Sequence, residues 1–200
     1  ERRSGGNPGA ACVGRMRHRV GLRIGLMLLL WLNASFGLAV VGSEPSEIAA
    51  LRANQDRPAA DLRDHAVRLR DTATDRAYRA WAALALAEFE SDLERADAAL
   101  ALLDEALREA DALQLDDLRF EVMARQSTIL VNRGRSAETD AVLKAMQALV
   151  ETSGNARWKA HWLHERGVLE RKLGRFDNSR ALLQQALAVL RELGDDAGAA

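Results

Sequence analysis

Three segments of this chain carry one plan at a fixed step of 40 residues, and that periodicity restricts the fold more than any other feature. The plan is clearest in Gly167 to Leu187, GVLERKLGRFDNSRALLQQAL. One step earlier, Gly174 becomes Gly134, Leu183 becomes Leu143, and Ala186 becomes Met146. A second step reaches Leu103 and Ala106. Gly167, Ser127 and Ala87 are all small, while Leu169, Ile129 and Phe89 are all large and apolar. Leu182, Val142 and Leu102 align, as do Ser179, Thr139 and Ala99, and Arg175, Arg135 and Arg95 share one position. Glu94 stands where the two later copies have glycine. Repetition of this kind marks units that cannot bury an apolar face alone and so stack against their neighbours.

Within the clearest copy the pattern is helix, tight turn, helix. Trp158, Trp162, Leu163, Val168 and Leu169 lie near helical spacing and predict a helix over 157–173. Gly167 lies inside it, at a cost of about 1 kcal/mol against alanine, and its missing side chain admits a close neighbour. Gly174 is the stop, since glycine takes a left-handed cap without steric penalty. Asp177 is the expected cap of the second helix, just after Phe176. Leu182, Leu183, Ala186, Leu187, Val189, Leu190 and Leu193 form that helix's apolar stripe, and Gly194 ends it. The same reading predicts helices over 75–91, 95–113, 117–132 and 137–152, with Asp116 and Asp117 favourable at a helix start.

These residues resemble the tetratricopeptide repeat. Gly167 matches the family's small residue in its first helix, Gly174 its turn glycine, and Phe176 its turn aromatic. Ser179 replaces the usual alanine at the opening of the second helix, and Leu183 and Ala186 match later positions. The closing proline is absent, and 40 residues exceed the usual repeat, as in the family's long-repeat members. The resemblance covers residues 78 to 193 and implies an all-α solenoid of stacked antiparallel helix pairs that binds a protein or peptide, without a cofactor.

The N-terminal part is different. Residues 1–15 carry no periodicity, and translation starting at Met16, or a fused leader, accounts for them. Residues 16–42 combine a basic head of Arg17, Arg19 and Arg23, an apolar core from Ile24 to Leu32, and small residues at Gly37 to Ala39. This fits a cleavable export signal. The uncharged run 24–42 also fits an uncleaved signal-anchor. Either way the expected location is outside the cytoplasm, in a bacterial periplasm. Residues 44–74 read as a degenerate capping helix pair. There Ser46 is the expected cap of a short helix, Pro58 opens the next, and Ala66 lies one step before Ala106. Residues 75–196 carry the repeats, and 197–200 read as the start of another. On that basis the chain is expected to be truncated.

Beyond residue 43 the chain holds 22 basic and 28 acidic side chains, a net of −6. Such a balance opposes nucleic-acid binding, which needs a basic surface. Membrane contact is expected only through the N-terminal segment. The one cysteine, Cys12, precedes that segment, so disulfides enter no argument. No Gly-x-Ser-x-Gly element or phosphate-binding glycine loop is present. His161 and His164 share a helix face beside Glu165, but the His-Glu-x-x-His order of zinc enzymes is absent. The chain is therefore read as non-enzymatic. Its expected binding surface is the concave face built from the first helix of each pair. The candidates there are Trp81, Glu88, Asp92, Thr128, Val168 and, as protein-binding residues, Arg125, Asn132, His161, His164 and Arg171. Arg125, Asn132, His161 and Arg171 are hydrogen-bond donors suited to an acidic or carbonyl ligand. The alternative is the periplasmic sensor region of a membrane signalling protein with a diguanylate cyclase or histidine kinase output.

Overall fold

The computed structural model describes residues 43–54 and 56–194. The expected leader (1–15), the signal or anchor (16–42) and the start of a further repeat (197–200) lie outside the described residues. Among those described, eight helices follow one another and 83% of residues are helical, with no strand. They are α1 (Ser46–Ala53), α2 (Ala59–Thr72), α3 (Arg76–Asp92), α4 (Ala96–Leu113), α5 (Asp116–Asn132), α6 (Ser136–Ser153), α7 (Ala156–Lys172) and α8 (Phe176–Glu192). No helix among the described residues is long and apolar enough to cross a membrane. The five helices given explicit ranges from sequence hold to within one residue.

A left-handed residue ends each helix from α3 to α8. Gly134, Gly174 and Gly194 have φ of +72°, +77° and +68°, and Gly154 has +64°. Glu94 and Gln114 adopt the same conformation at +62° and +55° without being glycine. The repeated backbone geometry therefore persists where the sequence signal has lapsed. In each hairpin the turn arginine's backbone N–H closes the helix end. Arg95 donates to the Glu90 carbonyl at 2.9 Å, Arg135 to Leu130 at 3.0 Å, and Arg175 to Glu170 at 2.9 Å.

Two of the expected N-caps are not made. The residue before α8 is Arg175, with no side-chain cap, and Asp177 sits inside the first turn facing Arg180 at 3.6 Å. Ser46 is likewise the first residue of α1 rather than its cap, which is Pro45. The caps that do form are Asp75, accepting from the Tyr78 N–H at 2.7 Å, and Asn155, accepting from Arg157 and Trp158 at 3.0 and 3.2 Å. These two lie two repeats apart; the intervening Leu115 is instead buried.

α3 with α4, α5 with α6, and α7 with α8 form the repeated pairs, joined by three-residue turns. Gly167 shows why α7 and α8 approach so closely. A Cβ there would stand 3.0 Å from Leu183 Cγ and 3.4 Å from the Ser179 carbonyl. Farther along, Asn178 reaches Glu170, so the two helices run antiparallel. Residues one step apart occupy equivalent places. Phe89, Ile129 and Leu169 are buried, as are Ala99, Thr139 and Ser179. Ala66, Ala106, Met146 and Ala186 are buried too, which extends the register back into α2. The molecule is thus a repeated array of helix pairs, compatible with a tetratricopeptide-like solenoid.

The aligned arginines gain an explanation. Arg95 Nη1 reaches the buried Glu90 carboxylate at 3.2 Å, and Arg175 Nη1 reaches buried Glu170 at 3.4 Å. In the middle copy Leu130 takes the carboxylate's place. Arg135 turns instead to Glu138, at 2.5 Å.

The caps generate a paired prediction. Glu94→Gly removes left-handed strand-of-chain strain from a side-chain-bearing residue and should raise unfolding free energy by up to about 1 kcal/mol. Gly174→Ala should lower it by about 1 kcal/mol, although nothing stands within 4 Å of the added Cβ. Urea denaturation of both variants checks the signs.

Candidate protein-binding face

The first helices of the pairs meet one another along one side of the array. α1 touches α3, α3 touches α5, and α5 touches α7. Among the second helices, α2, α4, α6 and α8 touch only helices adjacent in sequence. The first helices therefore form the inner side, and their outward residues line one continuous face.

The sequence that builds this face is unusual in α3. Ala80 to Glu90, AWAALALAEFE, is buried at every position. Alanines let neighbours close in from several sides. Glu88 and Glu90 end the run, and a buried carboxylate needs both a counter-charge and hydrogen bonds. Glu88, 8% exposed, receives them on the inner face. Arg52 of α1 grips both its oxygens, with Nε and Nη2 at 2.8 and 2.7 Å. Arg125 of α5 adds a bond to Oε1 at 2.8 Å. Arg52 also reaches Glu44 at 2.7 Å and Glu121 at 3.3 Å. Burial works against the Arg52 charge, but Glu88 and Glu44 outweigh it and hold the guanidinium above its ordinary range.

A second cluster lies one helix along, centred on Glu165 of α7, which is 6% exposed. Ser127 of α5 donates to its Oε2 at 3.1 Å, and the Thr128 hydroxyl, 3.1 Å from the Ala124 carbonyl, stands 3.4 Å from the same oxygen. His164 Nδ1 and His161 Nε2 stand 3.4 and 3.8 Å from Oε1. Phe120 stacks on Trp158 at 4.8 Å with 6° between the rings, and meets the edge of His161 at 5.6 Å. Burial favours neutral Glu165, yet the His164 hydrogen bond and both imidazole charges keep its pKa below the ordinary value. The two histidines diverge. Desolvation lowers His161 despite Glu165 and Glu121, whereas the Glu165 hydrogen bond raises His164 despite its partial burial.

Of the residues singled out from sequence, Glu88, Arg125, Thr128, His161 and His164 thus belong to one polar band. Arg171 contributes only its field, opposing the charge on His164. Asn132 is the exposed last residue of α5 and stands apart. Trp81 is 2% exposed, a packing residue. Arg125, expected as a donor to a ligand, already donates to Glu88. Sequence reasoning passed over Arg52, Glu44 and Glu121, because none recurs at the 40-residue step. The step does expose Ser127 as a small packing position, but not as a hydrogen-bond donor to a carboxylate. Among the described residues, no three His, Cys, Asp or Glu side chains converge as metal ligands.

The outer side has a different feature, which the sequence did not indicate. A cavity of about 470 Å³ opens between α6 and α8 over α7, lined by Leu143, Lys144, Trp162, Arg166, Leu182 and Gln185 among others. The Trp162 indole N–H donates to the Leu143 carbonyl at 2.9 Å at its edge.

With this geometry in hand, comparison with protein-family models, with curated proteins and with solved structures found no match.

The histidine pair is directly testable. By proton-resolved NMR, His161 should titrate below about 6.5 and His164 above it. The linkage follows from the signs. His164, raised, favours folding below the ordinary histidine value and loses that contribution as pH climbs through its folded value. His161, lowered, disfavours folding increasingly as pH falls below the ordinary value. Their joint contribution therefore peaks between the two. In Glu165→Gln, the His164 value should drop.

Proposed function

We propose that this chain is an exported, non-enzymatic scaffold of the long tetratricopeptide type, which binds a partner protein or peptide on its inner face. The observation that carries this reading is the polar band there. Glu88 and Glu165 are fixed by side chains from α1, α5 and α7, so the band's geometry is set before any partner arrives. A face ordered in advance loses little conformational freedom on binding. Adjacent helix pairs supply it jointly, as repeat arrays do. Export rests on the pattern of residues 16–42, and the acidic balance of the remainder supports protein rather than nucleic acid as the partner.

Arg125, His161 and His164 are all partly or fully exposed in the band, and Arg125 and His161 flank the two buried carboxylates from different helices, where a partner would touch both. The Arg125→Ala, His161→Ala double variant should lose most partner recovery in a pull-down from envelope extract. Lys144→Ala, on the outer side, should retain it. Unchanged recovery by the double variant would discard the inner face as the binding surface.

A further inference from the structure

Glu90 and Glu170 stand two steps apart and are both buried, yet they are not equally served. Glu90 takes Arg63 Nε of α2 at 2.7 Å and Arg95 at 3.2 Å. At Glu170 the place of Arg95 is kept by Arg175, but that of Arg63 is taken by Leu143. The side chains around Glu170 stand farther off, with Arg166 at 3.3 Å, Arg175 at 3.4 Å and Asn178 at 3.5 Å. Charge-assisted hydrogen bonds run at about 2.7–2.9 Å, so this buried carboxylate is short of close donors. It lines the cavity of about 470 Å³ between α6 and α8.

The cavity belongs to the interior of the array and not to the far edge of α8. Its α8 wall includes Ala181 and Leu182. Ala101 and Ala141 are exposed like Ala181, and Leu102 and Val142 are half-buried like Leu182. α4 and α6 are each followed by a further helix pair, so these places keep their exposure whatever follows α8. The preceding groove, over α5, holds Leu107 where this one holds Gln147, and Leu107 packs against the core. Its volume falls within the range of small-ligand sites, about 300–1,000 Å³.

The lining selects by charge and by shape. Lys144 stands 2.8 Å from Asp140, and Arg166 pairs with both Asp140 and Glu170. A cation entering would meet Lys144 and Arg166, and an anion would meet Glu170, so a neutral ligand is favoured over either. The Trp162 indole N–H is committed to the Leu143 carbonyl at 2.9 Å, which leaves its ring as the surface it offers. An aromatic face is electron-rich and accepts C–H groups. Asn178, Gln147 and Gln185 add amides that both donate and accept. We propose that this cavity binds one or two units of a neutral saccharide, with sugar C–H groups against Trp162 and a hydroxyl donating to Glu170. That hydroxyl supplies the close donor that Arg63 supplies to Glu90. The site lies on the outer side and does not rest on the inner face.

The indole N–H resonance of Trp162 in the full chain reports on this site. It should shift saturably with at least one of glucose, galactose, mannose, N-acetylglucosamine, maltose and cellobiose. Glu170→Gln should weaken that binding about fivefold to tenfold, the difference between a charged and a neutral acceptor. Gln185→Ala, at an exposed position that folding does not need, should weaken it about threefold. Arg125→Ala, on the inner face, should leave it unchanged. Sodium citrate and arginine amide should leave the resonance in place. No shift with any of these sugars, unaltered affinity in both Glu170→Gln and Gln185→Ala, or saturable binding of citrate or arginine amide at Trp162 would overturn the proposal.

Discussion

A helix buried along its whole length must be enclosed by other helices, and α3 imposes that condition on everything around it. Eleven consecutive residues, Ala80 to Glu90, are out of solvent. Neither α2 nor α4 alone surrounds a cylinder, so α1 and α5 complete the enclosure. The same need recurs at α5 and α7, where the core passes from Phe120 and Met123 to Leu143 and Leu169. Stability in such an array is approximately a sum of units and of contacts between neighbours. Enclosure also fixes the electrostatics. Glu88 and Glu90 lie on opposite sides of a buried helix. One is held by Arg52 and Arg125 on the inner side, the other by Arg63 at 2.7 Å and by Arg95. Burial alone would raise the Glu90 pKa, but the two arginines hold it low.

Much of this architecture was legible in the sequence because its causes are local or periodic. Gly134 and Gly174 announce a left-handed cap wherever they occur. Leu103, Leu143 and Ala106 mark a face by spacing alone. Gly167 signalled a close approach that the Leu183 contact bears out. The charged band was less readable. Arg52 is 36 residues from Glu88, and Ser127 is 38 from Glu165. Neither separation follows from the repeat by itself, since the partners sit on different first helices and change type from copy to copy. Position 85, 125 and 165 runs Ala, Arg, Glu. A conformational slot is conserved by backbone geometry, whereas the side chain in it is free to vary. The misassigned caps have the same origin. Asp177 and Ser46 are good capping residues placed one or two positions inside their helices.

The two sides of the array have different chemistry. The inner side is prearranged by carboxylates clamped between cations and hydroxyls, and two histidines respond there to a shared Glu165 in opposite directions. On α8, by contrast, the exposed residues include a large apolar one, Phe176 at 64%.

Equal spacing of the units is the claim on which all of this rests. The turn residues Glu94, Gly134 and Gly174 occupy one place in three successive pairs. Spin labels attached to cysteines at 94, 134 and 174, with Cys12 replaced by serine, would report the spacing by pulsed electron–electron resonance. The distances 94–134 and 134–174 should coincide, each as a single narrow distribution. Unequal means, or a broad distribution for either pair, would contradict the regular array.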